Sequence, residues 1–369
     1  VSFTFTGTPP WNLTYNIGAG DIPVTTSANP YTVTTTHAAG IYTYTATALS
    51  DSKCTAQAGD ITGPAVITVQ SPVTPGEIAD DQTICYNSTP VPIYSTIDGT
   101  GSGTISYKWE KNEGLGGGWV TIAGATEDYT FSGPLTITTR YRRTTVSDQN
   151  GMLCYSVPSN FVTIAVQTAP VAGSIAADQT ICYGTIPAKL TSTANGTGSG
   201  IITYKWQLNT GTGWSDISGA QDAEYQHGNL YATTQFHRIT VSTLNGIPCY
   251  SDPTASVTIT VRGEFIAGIT SSEQTICSNT APLGLSTTAP TGGTGPYTYQ
   301  WQVSSDGTVF DNIEDATVMT YSPGPLTQDT YYRVLDTDGG TPGCGTIPTN
   351  IIKVTVNNLT AGTIAADQT

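Results

Sequence analysis

The residues of this sequence whose spacing is most regular are its cysteines, seven in all. Six of them recur in a cassette in which a cysteine is followed by a tryptophan and then by a second cysteine. The first cysteine precedes the tryptophan by 24 residues in every copy. The three copies are Cys85–Trp109–Cys154, Cys182–Trp206–Cys249 and Cys277–Trp301–Cys344. Matched cysteines at a fixed spacing point to disulfide chemistry.

Pairing within each copy is the simplest disulfide arrangement, and we predict Cys85–Cys154, Cys182–Cys249 and Cys277–Cys344. Each bond would close a loop of nearly 70 residues, which contributes on the order of 4 kcal/mol in the chain-entropy model. Disulfides indicate an oxidising, extracytoplasmic compartment. Cys54 lies just past a predicted strand, as the second cysteines do, but its natural partner would precede Val1. We therefore predict that Cys54 is unpaired.

Catalytic chemistry finds little support among the remaining polar residues. His37, His227 and His237 fall at non-equivalent positions, with no matched serine, aspartate or cysteine that could form a nucleophilic triad. Neighbouring carboxylates such as Asp80 and Asp81 are typical of solvated loops. The glycine runs "GTGSG" and "GLGGGW" are interpreted as hairpin loops rather than phosphate cradles. We predict a protein that is not an enzyme and has no catalytic residues.

Metal binding remains a hypothesis for calcium only. No CxxC or Cys/His cluster is present that would suit zinc. The stretch "DTDGG" at 336–340 resembles part of a calcium loop but lacks the later ligands. Asp80, Asp81 and Asp178 fall at predicted domain joints, where calcium can stiffen tandem domains. The expectation is no cofactor, and an unchanged melting temperature on adding EDTA would remove the calcium alternative.

Three aromatic residues occupy one equivalent position after a glycine loop: Trp119, Trp214 and Phe310. Two interpretations are open. Each ring packs beneath its loop against the isoleucine three residues on, or it is exposed and stacks on a ligand such as a sugar. The cassette tryptophans Trp109, Trp206 and Trp301 are predicted to be core residues.

Composition and charge decide the fold class and exclude some partners. The chain is rich in Thr, Gly, Tyr and Val and shows no convincing apolar period of 3.6 residues, which predicts an all-β fold. The formal charge is −15 with only 12 Lys plus Arg. Without a basic stripe, binding to nucleic acid or to an anionic membrane surface is disfavoured. No apolar run is long enough for direct membrane insertion of this segment.

Repeated text divides the chain. "GEIADDQTICYNSTP", "GSIAADQTICYGTIP" and "GITSSEQTICSNTAP" open three units, and "GTIAADQT" opens a fourth. The predicted division is a partial domain at 1–72, repeats at 73–169, 170–263 and 264–358, and the start of a further repeat at 359–369. The joints are short and contain proline or bulky residues, which predicts an extended rod of domains with restricted bending. The ends of the sequence suggest a piece of a longer protein. A further hypothesis is head-to-tail self-assembly, in which the last strand completes the first domain of a neighbouring copy.

The order Cys…Trp…Cys, with a leucine six residues before an aromatic, resembles the immunoglobulin-like β-sandwich. The leucine–aromatic pairs are Leu135/Tyr141, Leu230/Phe236 and Leu326/Tyr332. The resemblance implies tandem immunoglobulin-like domains in which these aromatics belong to the core. The sequence departs from that pattern because the first cysteine lies outside the strand expected to carry it. Phe236 also lacks the hydroxyl of the corner tyrosine.

A second resemblance rests on the phrases "ADQTIC", "TYKWQ", "GTGWSDISGA" and "NGIPCYS". These are similar to the repeats of giant cell-surface adhesins from Bacteroidota, including the SprB-type gliding adhesins and related substrates of type IX secretion. The resemblance implies an extracellular, cell-surface, non-catalytic stalk or filament. Its partners would be neighbouring repeats of the same long chain and an extracellular surface or polysaccharide. A carbohydrate-binding array and an accessory region of a secreted enzyme are the alternative functions.

Overall fold

The computed structural model of the chain describes residues 1–360 and residue 362, and all its regular elements there are β-strands. The all-β fold class is thereby confirmed. Within the described residues no helix is long and apolar enough to cross a membrane. The predicted strand "GTIAADQT" falls outside the described residues. The chain divides into two compact units, 1–168 and 169–369, which are described in turn.

The N-terminal segment of the first unit forms a four-stranded sheet in the order β3-β2-β5-β6, and a separate pair β1-β4. Strict alternation in "WNLTYN" buries Trp11, Leu13 and Tyr15, and these pack with Phe5 and Tyr44 as one core. The strands of this segment are β1 (Ser2–Phe3), β2 (Trp11–Asn16), β3 (Asp21–Thr26), β4 (Tyr31–Thr32), β5 (Gly40–Ser50) and β6 (Ala65–Val69).

The first full repeat completes this unit. Its main sheet has the order β11-β10-β12-β14-β8, with β13 also paired to β12, and β7 pairs with β9 apart from it. Its strands are β7 (Glu77–Ile78), β8 (Gln82–Ile84), β9 (Ser95–Ile97), β10 (Thr104–Glu113), β11 (Val120–Ile122), β12 (Thr139–Gln149), β13 (Met152–Tyr155) and β14 (Val162–Val166).

The second unit contains two repeats of the same build. The strands of the second repeat are β15 (Ser174–Ile175), β16 (Gln179–Ile181), β17 (Ser192–Ala194), β18 (Ile201–Asn209), β19 (Trp214–Asp216), β20 (Thr234–Leu244), β21 (Ile247–Pro253) and β22 (Val257–Val261). Those of the third repeat are β23 (Gly263–Ile266), β24 (Gln274–Cys277), β25 (Leu285–Ser286), β26 (Thr291–Gly293), β27 (Tyr297–Ser304), β28 (Asp311–Asn312), β29 (Thr320–Tyr321), β30 (Thr330–Asp338), β31 (Gly345–Pro348) and β32 (Ile352–Asn357).

One topology is shared by the three repeats. Two long antiparallel strands form the centre of the main sheet, and the last strand joins them antiparallel. A short early strand then pairs in parallel with that last strand, as Gln179–Ile181 does with Ile259–Val261. A parallel pair cannot be joined by a hairpin, so this pairing connects the two ends of a repeat and fixes where the first cysteine lies.

The core of each repeat surrounds its cassette tryptophan. Trp109, Trp206 and Trp301 are 0% exposed, as predicted. Each indole also donates a hydrogen bond to a backbone carbonyl, in the second repeat to Asp222 O at 2.9 Å. The predicted core aromatics Tyr141, Phe236 and Tyr332 are buried as well. Burial raises the pKa of Tyr332 to about 12, because ionisation inside the core would leave a charge without solvation.

An arginine lies fully buried beside the tryptophan in two of the repeats. Arg143 and Arg238 are 0% exposed, and their guanidinium groups donate to backbone carbonyls and, for Arg143, also to the Ser95 hydroxyl. The Arg238 guanidinium donates to Ala223 O at 2.5 Å and to Ala194 O at 2.9 Å, and it stacks on the Tyr204 ring at 4.3 Å. The arginine therefore ties loops to the sheet by filling carbonyl acceptors that would otherwise be buried without donors.

The "GTGSG" segments are close-packed, contrary to their interpretation as hairpin loops. A Cβ at Gly99 would lie 2.0 Å from Thr145 Oγ1, and one at Gly101 would lie 2.6 Å from the Ser147 side chain. Alternate glycines therefore face the central strand β12, and the segment runs along that strand in close contact with it. The glycines serve close approach of two backbones rather than a turn or a phosphate.

The third repeat departs from the other two along its central strand. Val334 occupies the position of the buried arginine, and Asp336 occupies that of Thr145. Asp336 is 0% exposed, and its Oδ2 accepts from the Gly268 amide at 2.7 Å while Oδ1 is a buried atom without a partner. Burial raises the pKa of the Asp336 carboxyl, and the Gly268 bond opposes that rise.

Asp336→Asn is expected to stabilise the third repeat at neutral pH. A raised folded-state pKa means that ionisation opposes folding, so stability is lost as the pH rises from the ordinary value through the folded value. The gain for the uncharged variant is about 1.4 kcal/mol per unit of pKa shift. This gain should vanish below about pH 3.5, where Asp336 is protonated in both the folded and the unfolded state. Urea unfolding at several pH values checks this.

Asp329→Asn is the matched control, since the pKa of Asp329 is lowered by the Val356 amide and by Lys353. Removing the Asp329 charge should cost stability above the ordinary pKa, and this cost should disappear as the pH falls through the lowered folded-state pKa. An Asp336→Asn variant that is less stable than the parent at pH 7 would contradict the assignment.

Candidate functional site

The disulfide in the second unit joins two successive repeats. Cys182 of the second repeat bonds to Cys344 of the third, with the sulfurs 2.06 Å apart and the Cα atoms 5.5 Å apart. The bond spans 162 residues of sequence. It is a covalent link between neighbouring domains rather than a bond inside either core.

The strand pattern explains why the cysteines of one repeat do not meet. Ile181, just before Cys182, lies opposite Val261 at the end of the sheet where the chain leaves the repeat. Cys249 lies opposite Ser242, near the other end of β20. That strand pairs with the last strand only around Thr234, and Cys182 lies three positions beyond that point, so the two cysteines are separated by roughly 36 Å at about 3.3 Å per residue. A disulfide cannot bridge such a distance.

The hairpin with Cys344 lies at the end where the chain enters the third repeat. Gly345, its neighbour, pairs with Asp338, and Asp338 accepts from the amides of Thr294 and Gly295 beside the entering strand β23. The exit end of one repeat and the entry end of the next thus each present a cysteine. The bond fastens the joint between them.

The predicted pairing within repeats is therefore wrong. Cys154 and Cys277 carry free thiols, which excludes Cys85–Cys154 and Cys277–Cys344, and the bond to Cys344 excludes Cys182–Cys249. Cys85 and Cys249 are disulfide-bonded. Cys54 is free and exposed, as predicted. The parallel strand pair takes the first cysteine of a repeat to the end of the sheet opposite the hairpin that carries the second cysteine.

Polar contacts fasten a second joint, within the first unit. Gln70, at the end of the N-terminal segment, donates from Nε2 to Met152 O at 2.8 Å. Its Oε1 accepts from Ser147 Oγ at 3.3 Å, and the Ser71 amide donates to Ser102 Oγ at 2.5 Å. These bonds attach the joint to the hairpin of the following repeat, the same hairpin that carries the second cysteine.

Each residue of the aromatic row (Trp119, Trp214 and Phe310) lies on the outer side of the main sheet of its own repeat rather than beneath its loop. Trp214 is 40% exposed, and one face of its ring stacks on the His237 ring at 3.6 Å between centroids. His237 Nε2 is 2.6 Å from Gln207 Oε1. Burial lowers the pKa of His237, so its imidazole is neutral at pH 7 and supports the indole as a flat plate.

The other two members repeat this arrangement with arginine in place of histidine. The Arg142 guanidinium lies 4.1 Å from the Trp119 ring and pairs with Glu110 at 2.9 Å. The Arg333 guanidinium lies 4.0 Å from the Phe310 ring, and its Nε donates to Gln302 at 2.7 Å. Packing against the isoleucines is wrong for all three rings, since an extended chain puts residues three apart on opposite faces. Stacking on a ligand stays a prediction.

The predicted partial calcium loop is organised around backbone amides. Asp338 is 3% exposed, and its two oxygens accept from the amides of Thr294, Gly295, Gly340 and Cys344. Asp81 and Asp178 at the joints likewise accept from the Thr163 and Thr258 amides. Among the described residues no group of three metal-ligating side chains comes together. These carboxylates serve to hold loops and strand ends.

Comparison with solved structures returns arrays of similar domains at low sequence identity. The titin domains I67–I69, in an E-to-A variant, are 12% identical with a TM-score of 0.41, and the match covers 78% of this chain and 99% of theirs. Sidekick-1 immunoglobulin domains 1–4 are 12% identical with a TM-score of 0.27, covering 97% and 94%. Drosophila N-cadherin EC1–4 is 13% identical with a TM-score of 0.30, covering 96% and 94%. No curated protein matches the sequence.

The family comparison is specific. A model described as "Domain of unknown function (DUF8696)" matches residues 74–168, 171–263 and 266–358. These three stretches contain the three cysteine–tryptophan–cysteine cassettes and make up most of the chain. The chain therefore belongs to the DUF8696 family and carries three consecutive copies of its immunoglobulin-like domain.

Proposed function

We propose that this chain is a non-catalytic stalk segment that carries tension within a long extracellular surface protein. The observation that supports it most directly is the Cys182–Cys344 bond, which lies across a joint rather than inside a domain. A bond inside a domain protects that domain alone. A bond across a joint transmits tension from one domain to the next and limits how far the joint can bend or open.

The parent protein in this proposal is a cell-surface adhesin of the SprB-type gliding class or a related type IX secretion substrate. The support is the resemblance of the repeated phrases, together with disulfides that fit an oxidising, extracellular location. Neighbouring repeats of the same chain are its structural partners. The stalk requires no cofactor, nucleic acid or membrane insertion. Its role is to hold an adhesive region away from the cell or to carry tension towards it.

The stalk proposal predicts that the second and third repeats stay covalently linked after the backbone is cut at the joint that the Cys182–Cys344 bond crosses. A recognition site for a sequence-specific protease, inserted between Arg262 and the exposed Gly263, lies after β22 and before β23 and separates the second and third repeats along the chain. After cleavage the two pieces should stay together on a non-reducing gel and separate completely on reduction. Cys344→Ser with the same insertion is the control and should separate without reductant. If the cleaved parent separates without reductant, no disulfide joins the two repeats and the proposal loses its main support.

A second function, polysaccharide binding by the aromatic row, is supported by the exposed ring of Trp214, whose inner face is fixed by His237. A flat, preorganised ring is suited to stacking on a sugar. If the row binds, Trp119→Ala, Trp214→Ala and Phe310→Ala together should lower affinity for a polysaccharide or solid surface at least roughly tenfold.

Surface-binding measurements on a polysaccharide panel check this, with Tyr231→Ala as the control. Tyr231 is an aromatic outside the row that is 60% exposed, against 40% for Trp214. Equal binding by the triple variant and the parent, or no binding by either, leaves the domains as a stalk without this adhesive surface.

A further inference from the structure

We propose that Cys277 is the attachment thiol for a further domain of the same family, through the second cysteine of that domain. In a preparation of this chain, the available second cysteine is Cys154 of another copy. The proposal rests on the stalk function above and extends it: the bond between Cys182 and Cys344 recurs at the joint after the third repeat, between the same two cassette positions.

The position of Cys277 matches that of a cysteine already bonded across a joint. Cys182 follows Ile181, which lies opposite Val261 in the parallel strand pair, and Cys277 ends the equivalent strand opposite Asn357. Both therefore lie at the exit end of their sheets. Cys182 is bonded to the following repeat and Cys277 is free and exposed.

The backbone around Cys277 is held in place for such a bond. The Ser278 amide donates to Asn357 O at 3.0 Å, and the Thr280 amide and hydroxyl both donate to Cys277 O, at 3.2 and 2.6 Å. The same turn follows Cys182, where Thr185 donates to Cys182 O from its amide at 3.2 Å and its hydroxyl at 2.8 Å. The free thiol is thus presented by the same local structure as the bonded one.

Cys154 is the complementary group. It lies in the hairpin of β12 and β13 opposite Ser147, as Cys249 lies opposite Ser242 in the second repeat. Cys249 is disulfide-bonded, and so is Cys344 in the corresponding hairpin of the third repeat. Cys154 is free and partly exposed. It is therefore an entry-end cysteine whose bonding position is unfilled within this chain.

The bond forms by thiol–disulfide exchange. Two thiols lose two electrons and two protons in forming one S–S bond, and one molecule of oxidised glutathione is reduced to two of glutathione. The oxidant in the experiment is that glutathione couple. No metal or enzyme is needed for the balance.

Two variants of the full chain, both carrying Cys54→Ser, test the proposal. One also carries Cys154→Ser and keeps Cys277 as its free thiol, and the other carries Cys277→Ser and keeps Cys154. Each is incubated separately in the glutathione buffer, and then the two are mixed. The mixture should yield covalent heterodimers at least roughly tenfold in excess of either homodimer, because only the exit-to-entry pair has complementary surroundings. Peptide mapping should find Cys277 linked to Cys154.

Homodimers as abundant as heterodimers, or no covalent dimer in the mixture, would overturn the proposal. The same peptide map reports the Cys182–Cys344 bond inside each chain. If that bond is present while the heterodimer is absent, the proposal fails and the stalk function stands. If that bond is itself absent, both fail.

Discussion

Stretched from its two ends, a chain that keeps only Cys182, Cys249 and Cys344 should stop roughly 580 Å short of its fully reduced length. The bond spans 162 residues, each of which adds at most about 3.6 Å to an extended chain. Those residues cannot be extended while the bond is intact. Single-molecule force spectroscopy, with and without reductant, measures the difference directly.

The three-cysteine chain lets the fold choose among pairings of different length. Cys182 with Cys249 would withhold only about 240 Å, and Cys249 with Cys344 about 340 Å, by the same conversion. A chain without any cysteine is the control and should reach one length with or without reductant. A shortfall near 240 Å would mean that Cys182 pairs with Cys249 inside the second repeat. The stalk proposal would then lose the bond across the joint on which it rests.

The fold was predictable from sequence because its determinants are local. Alternating residues in strands such as "WNLTYN", and the cassette tryptophans, indicate a β-sandwich and its core. The cysteine partner was not predictable, because it depends on a parallel pairing between residues near 181 and residues near 261. That pairing joins segments about 80 residues apart and leaves no mark in the spacing of the cysteines.

The burial of the arginine was indicated by its place in the strand alternation, but its charge favoured a surface position. Tyr141, Arg143 and Thr145 alternate along one strand, so Arg143 shares a face with a core aromatic. Arginine is ordinarily assigned to the surface, because burial of a charge requires donors and acceptors that the sequence alone does not show. The prediction for the aromatic row was wrong for a different reason. The equivalent position in each repeat was recognised, but the residues on which the rings stack, such as His237, lie on another strand.

Arg238→Met should destabilise the second repeat by about 3 kcal/mol or more, since buried carbonyls left without donors cost about 1–3 kcal/mol each. The side chain of methionine fills much of the volume but donates no hydrogen bond. The carbonyls of Ala223 and Ala194 then lose their donor, and the Tyr204 ring loses its stacked guanidinium. Hydrogen exchange of the amides in β18 and β20 measures the loss within this repeat.

The control is Lys205→Met, on the same sheet, where the lysine is partly exposed and pairs with Asp216 at 2.8 Å. An exposed ion pair contributes about 1 kcal/mol or less, so this variant should exchange nearly as slowly as the parent. Equal effects of the two substitutions would mean that the buried arginine only fills space. A large, specific effect of Arg238→Met would explain how the second repeat keeps its loops attached to the sheet although Cys182 is bonded to the next repeat and not to Cys249.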